Sequence, residues 1–316
     1  MRYCVGVDIG GTTVKCGIFT VDGMLVEKWE IPTRKENNGE NILPDTAESV
    51  RAHLTAQGIG LADLEGVGMG VPGPVQSNGY VHTCVNLGWK AQWPAEQMKK
   101  LMGGDICCMA GNDANVAALG EMWQGAGKQY RDLMMVTLGT GVGGGLIIDG
   151  KIINGSHGAG AEIGHMHVRD DETEQCTCGG YGCLEQAASA TGIVRLAKRA
   201  VKMKGSAAGP LTEYGDRLEA RHVCELAISG DATAAESLKQ SMDYLGEALA
   251  RVSMISDPAA FVLGGGVSKA GNVLIDMIKT KYNEQTALLP KKAEFLIAEL
   301  GNDAGIYGSA YLVLSK

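Results

Sequence analysis

The chain is short of aromatic side chains, which make up 5% of its 316 residues, while glycine reaches 46. That balance implies a backbone making many tight turns and close approaches to ligands, and leans towards an enzyme acting on a small polar substrate. Clustered Lys and Arg are also missing. With 36 acidic against 28 basic residues and a formal charge of −8, a general nucleic-acid binder is excluded, because phosphate backbones require concentrated positive charge. No apolar run of 18 residues occurs, and Met1 to Gly10 leads straight into a strand-like segment without a signal-peptide core, so a soluble protein with no membrane partner is expected. Low-complexity tracts are lacking; Lys202–Gly215 reads as a polar loop or helix end. Nine cysteines without a secretion signal point to a reducing compartment, the cytoplasm by default.

Hydrophobic residues at 45% and charged residues at 20% are ordinary globular proportions, and the length fits two domains. Tyr3–Ile9 reads as a strand, followed by a Gly-Gly-Thr-Thr turn, a strand over Lys15–Val21, an Asp22-Gly23 turn and a strand over Met24–Ile31. A loop then covers Pro32–Asn41, a helix Leu43–Gln57, and short strands Gly66–Val71 and Ile106–Met109. From Leu133 the opening recurs as strand, Gly139-Thr140-Gly141 turn, strand Gly145–Ile148, Asp149-Gly150 turn and strand Lys151–Ile153. Gly-Asn-Asp-Ala, each time opening a helix, also occurs twice, at 111–114 and 301–304. Chance similarity of glycine-rich turns is one explanation; duplication of one α/β unit is the other. The duplicated reading gives a two-domain actin-like or hexokinase-like (ribonuclease H-like) α/β fold with a central cleft. Its N-terminal domain would be 1–116, joined by the last helix at about 303–316. Its larger C-terminal domain would be 117–302, carrying a metal site.

Five motifs bear on chemistry. Asp8-Ile9-Gly10-Gly11-Thr12-Thr13-Val14-Lys15 sits at a strand-to-strand turn, where glycine amides and the Thr12 hydroxyl can meet phosphate oxygens and Asp8 can hold magnesium through water. It is neither a Walker A loop nor a Rossmann fingerprint, because no helix follows the glycines. Leu138 to Gly145 offers a similar nest through Gly139, Thr140 and Gly141. Gly264-Gly265-Gly266 could lie against a flat adenosine, or simply allow tight packing at a strand end. Asn112-Asp113-Ala114-Asn115 opens a helix, so capping is its plainest role; alternatively, Asp113 is placed as a base for a sugar hydroxyl, with Asn112 orienting the sugar. Most specific is Glu162-Ile163-Gly164-His165 followed by Cys176, Cys178 and Cys183. Three thiolates and an imidazole form the closed tetrahedral set of a structural zinc, with His167 competing with His165, and disulfides as the other option. Cys4, Cys16, Cys84, Cys107, Cys108 and Cys224 lie in apolar surroundings and read as core.

Taken together, the Asp8–Lys15 motif, the Leu138–Gly145 loop, Glu162-x-Gly-His165 and Cys176-x-Cys-Gly-x-x-Gly-Cys183-x-Glu185 resemble the signatures of the ROK family of sugar kinases and related repressors. The resemblance implies Asp113 as general base and Gly73, Asn112, Glu162, His165 and Glu185 as sugar ligands, with His165 binding zinc through its other ring nitrogen. It assigns Gly10, Gly11, Thr12 and Gly139–Gly141 to the phosphates of ATP. It implies ATP-dependent phosphorylation of a hexose by a homodimer. Gly68–Val75 and Asn86-Leu87-Gly88-Trp89 resemble the branch that converts glucose to glucose 6-phosphate. Fructose, allose, N-acetylmannosamine or N-acetylglucosamine are the alternative substrates. A sugar-responsive repressor lacking its DNA-binding domain is the reading from another class, disfavoured because only two residues precede Tyr3.

Overall fold

The computed structural model describes every residue except Ser77, Gly104 and Lys316; the last of these falls within the expected C-terminal return. The chain opens with β1 (Tyr3–Ile9), β2 (Thr13–Thr20) and β3 (Leu25–Pro32), then a single turn α1 (Glu36–Gly39), α2 (Ile42–Ala56), β4 (Leu64–Val71), α3 (Pro94–Met102), β5 (Cys107–Asn112) and α4 (Asp113–Gln124). It continues with β6 (Leu133–Leu138), β7 (Val142–Ile148), β8 (Lys151–Ile152), α5 (Glu185–Ala188), α6 (Ala190–Lys204), α7 (Ala220–Ile228) and α8 (Ala232–Ser256). The last elements are β9 (Ala260–Gly264), α9 (Asn272–Gln285), β10 (Glu294–Ile297) and α10 (Ala304–Leu312). The expected strands lie within a few residues of those observed. Among the described residues no helix is long and apolar enough to cross a membrane.

Two five-stranded sheets carry the fold, ordered β3-β2-β1-β4-β5 and β10-β9-β6-β7-β8. Read from its other edge, the second is β8-β7-β6-β9-β10, the same connectivity advanced by five strands. The duplication inferred from the repeated turns is therefore a duplication of topology. Hairpin pairs β1–β2 and β2–β3 are antiparallel, whereas β1–β4 and β4–β5 are parallel. Strand β4 is buried along nearly its whole length, as expected for a parallel strand covered on both faces.

The chain divides into two compact units, residues 1–135, 145–161 and 299–316 in one, and 136–144 and 162–298 in the other. In the first, α10 lies across the sheet so closely that a Cβ at Gly6 would overlap the Ile306 carbonyl. The same helix crosses α4, where Gly308 leaves room for the Val116 carbonyl. The two helices opened by Gly-Asn-Asp-Ala thus pack on each other through their smallest residues. The core of this unit includes Trp89, 2% exposed, whose indole donates to Gly39 O at 3.2 Å. Burial of a side chain this size contributes several times the roughly 1 kcal/mol of its hydrogen bond, and it fixes the Cys84–Trp89 turn. In the second unit Phe261, Tyr282 and Phe295 form a mutually tilted aromatic cluster beneath β9 and β10.

Candidate functional site

Parallel pairing determines where the acidic residues of the first unit converge. Asp8 of β1 is in register with Gly70 of β4, and Gly70 with Gly111 of β5. The carboxyl ends of the three strands therefore form one edge, where α/β sheets place their ligands, and the chain leaves it at Gly10, Gly73 and Asn112–Asp113. At Gly73 φ is +103°, a left-handed conformation that glycine adopts without the penalty of a Cβ. Asn112 Nδ2 donates to the Gly73 carbonyl at 3.0 Å, and its Oδ1 accepts from Asn115 N at 3.1 Å as the N-cap of α4. Capping, the plainest role for this motif, is thus filled by Asn112. Asp113, the first residue of the helix, accepts from the Ala114 amide at 2.8 Å, at the end of α4 whose dipole favours an anion.

Asp8 stands apart among the described carboxylates of this unit. Burial chiefly, and then the negative charge of Asp113, push its pKa up to about 6, with Lys15 opposing them. A poorly solvated carboxylate at the end of β1, beside a glycine turn, is a hard oxygen donor of the kind magnesium takes. The neighbouring turn is held by Gly10 N donating to Thr13 O at 3.0 Å and by the Thr33 hydroxyl donating to Gly10 O at 2.7 Å, with Thr12 exposed. Lys15 donates its ammonium to Asn302 O at 3.2 Å.

In the second unit the loop Gly139-Thr140-Gly141 is braced by the start of α6. Ala190 N donates to Gly139 O at 2.8 Å and the Thr191 hydroxyl to Thr140 O at 2.9 Å, while Ser189 caps the helix by accepting from Gly192 N. Beside this loop opens a cavity of about 930 Å³, walled by residues that include Gly139, Thr191, Arg195, Cys224 and Gly266. Gly265 has φ +87° and packs against the Leu138 backbone, where a Cβ would overlap it; its neighbour Gly266 reaches the cavity. The tight-packing role thus falls to Gly265 and the open wall to Gly266.

His165 ends a 3-10 turn that starts after Glu162. Cys176 and Cys178 lie on a tight turn closed by Cys176 N donating to Gly180 O at 2.8 Å, and Cys183 follows Gly182, whose φ is +68°. The donor atoms of His165, Cys176, Cys178 and Cys183 all lie within 4.8 Å of one another. Cys176 Sγ is 3.6 Å from His165 Nδ1, and Cys178 Sγ is 3.6 Å from Cys183 Sγ. Ideal tetrahedral zinc would separate S from N by about 3.5 Å and S from S by about 3.8 Å, so the set fits that ion. A disulfide would need sulfurs about 2.0 Å apart, and all nine cysteines are free. The Gly180 amide holds the Cys178 thiol below its ordinary range. His167 has both ring nitrogens engaged elsewhere, Nδ1 with Tyr181 O at 2.8 Å and Nε2 with Asp170 at 2.9 Å, and the four-donor cluster contains His165.

The cavity walls on α6 and α7 were missed by sequence reasoning. Thr191, Val194, Arg195 and Cys224 sit on amphipathic helices, where a cavity face and a core face have the same periodicity. Cys224, expected in the core, is 7% exposed and lies on that wall. Cys4, Cys16 and Cys84 are buried as expected, while Cys107 and Cys108 are half-buried.

The ROK family pattern matches residues 4–316. A glucokinase of Halalkalibacterium halodurans is 41% identical over 99% of this chain and 95% of its own length. Among solved structures, a ROK family glucokinase from Streptomyces griseus in complex with glucose and AMPPNP aligns over 99% of this chain and 100% of its own, at 32% identity and TM-score 0.73. A ROK hexokinase from Thermus thermophilus aligns over 99% of each chain at 28% identity and TM-score 0.82. A pattern matched from end to end, on sheets of duplicated order, carries the conclusion that the resemblance in the motifs anticipated: the protein belongs to the ROK family.

Proposed function

We propose that the protein is an ATP-dependent hexose kinase that converts glucose to glucose 6-phosphate. What carries this reading is full-length kinship with glucokinases, supported by a cavity of about 930 Å³ opening beside a glycine-rich loop. Adenosine occupies that cavity against Gly266, with Gly265 shaping the wall from behind. The amides of Gly139, Thr140 and Gly141, and those of Gly10, Gly11 and Thr12, receive the phosphates, and Lys15 adds positive charge near them. Asp8 would hold magnesium through water, and the ion would neutralise charge on the transferring group.

Glucose is held through its hydroxyls by Asn112, Asp113, Glu162, His165 and Glu185, with the Gly73 backbone close to the ring. Asp113 accepts the proton of the 6-hydroxyl as its oxygen attacks the γ-phosphorus. The new O–P bond forms while the bond to the β-phosphate oxygen breaks, and ADP departs. His165 presents its Nε2 to the sugar because its Nδ1 belongs to the cysteine cluster. His165, Cys176, Cys178 and Cys183 would hold zinc, which would fix the imidazole tautomer and ring orientation. Cytoplasmic homodimers complete the reading, since closed symmetric dimers are the commonest soluble oligomers; a 33 kDa species by light scattering at micromolar concentration would count against them.

The test is ADP release measured across glucose, fructose, allose, N-acetylmannosamine and N-acetylglucosamine. Glucose should give the highest kcat/KM. ADP release with none of them would overturn the kinase reading, and a better second sugar would move the substrate assignment.

A further inference from the structure

Between the first two donors of the cysteine–histidine cluster, residues 166–175 are held by backbone hydrogen bonds of Met166, Val168 and Arg169 with Gly182 and Leu184, and by buried charges. The Glu172 side chain is wholly buried and that of Arg169 is 3% exposed. Arg199 Nη2 donates to Glu172 Oε1 at 2.9 Å, Arg195 Nη2 lies 3.1 Å from the same oxygen, and Arg169 Nη1 lies 3.8 Å from Oε2. Arg195 Nη2 is also 2.8 Å from Glu174 Oε2, and Glu174 N donates to Glu172 Oε1 at 3.0 Å. One guanidinium of α6, that of Arg195, therefore lies within ion-pair distance of two carboxylates of the loop without a hydrogen bond to either, while Arg199 from the same helix hydrogen-bonds both oxygens of Glu172. The same Arg195 forms part of the wall of the large cavity.

From Glu174 the connection runs on towards the sugar-binding residues. The Glu174 carbonyl accepts from Gln186 Nε2 at 2.9 Å, and Gln186 Oε1 accepts from Cys183 N at 3.1 Å. Gln186 adjoins Glu185 in α5, and α6 begins against the Gly139–Thr140 carbonyls. Buried ion pairs are by themselves weak evidence for a purely stabilising role. Desolvating a carboxylate among guanidiniums offsets most of what their attraction returns, and apolar residues of equal volume would hold the fold as well. What charges offer here and apolar residues lack is direction: Arg199 and the Glu174 amide donate to Glu172, and Arg195 is drawn to Glu172 and Glu174 together.

We propose that Glu172 and Arg195 form a positioning pair, clamping the metal loop to the helix that walls the nucleotide cavity and so setting His165 and Glu185 in place for the sugar. The inference rests on the assignments of cavity and cluster made above. Glu172 touches neither sugar nor metal; it acts through Arg195 and the 166–175 segment.

Glu172→Gln in the full-length protein removes the charge at nearly constant shape. Loss of an outer-shell partner of a metal site commonly changes metal affinity or activity by about 10–100-fold. Zinc release to a chelating dye should therefore quicken about tenfold and the sugar KM rise about tenfold, with kcat lowered much less. Glu174→Gln, at a side chain 69% exposed and so tolerant of change, should move both quantities in the same direction by a smaller factor and decides the matter should Glu172→Gln not fold. A folded variant with a lower melting temperature but parental zinc release and sugar KM overturns the proposal and leaves the cluster a structural device. If the parent phosphorylates no sugar, the kinase reading fails and zinc release alone decides. If it carries no zinc, the sugar KM decides.

Discussion

The carboxylate of Glu185 lies directly over the backbone of Gly141: Oε2 accepts from Val142 N at 3.2 Å, and a Cβ on Gly141 would overlap that oxygen. A residue assigned to the sugar and a loop assigned to the phosphates are thus in contact, and only glycine permits it. Gly141→Ala should displace the Glu185 carboxylate and raise the sugar KM about tenfold, with little change in melting temperature because the loop is not part of the core. Steady-state kinetics with the sugar and ATP varied separately would measure it; an unchanged sugar KM would sever the link.

Asp113→Asn should lower kcat by roughly 10²–10⁴-fold, the usual contribution of a positioned acid–base group, while sugar binding by calorimetry stays close to the parent. The echoing position is the control. Asp303 accepts from Lys28 at 2.6 Å on a partly exposed surface, so Asp303→Asn should cost no more than about 1 kcal/mol of stability and leave kcat near normal.

Asp8 gives the enzyme a pH signature whose sign follows from its pKa, raised from 3.8 to about 6. Between about pH 4 and pH 6 the folded state binds more protons here than the unfolded state, so this group's contribution to stability falls as pH rises through that window. Above pH 6 the full cost of the buried anion remains. Asp8→Asn should therefore stabilise the protein at pH 7.5 by up to about 3 kcal/mol and hardly at all at pH 4, as read from urea unfolding at the two values. The same variant should lose most of its activity with MgATP. Equal stability gains at both pH values would show that the charge is not the cause.

One zinc per chain is expected by elemental analysis of reduced, active protein. Cys178→Ser removes one of four ligands from a closed set. It should abolish stoichiometric zinc and raise the sugar KM strongly, with a much smaller effect on nucleotide binding. Active protein containing no zinc would remove the metal from the account altogether.

The sequence by itself determined the turns, the chemistry on offer and most of the strands, though not β10. Alternating and continuous apolar runs located β1, β4 and β6 because strand burial has a short period, and glycine-rich turns at 10–11 and 139–141 showed because few residues tolerate such backbones. Cys176, Cys178 and Cys183 identified a metal set because three thiols at that spacing have few other uses in a reducing compartment. Tertiary structure alone decided the rest, because proximity across long sequence separations leaves no periodic trace. It chose His165 over His167 by engaging both nitrogens of His167 elsewhere, and it made Asn112 the cap so that Asp113 sits one residue into α4. It brought Asp8 close enough to Asp113 to feel its charge across a parallel sheet. It also turned one face of α6, which in sequence is simply an amphipathic helix, into the wall of a cavity and a partner of the buried Glu172.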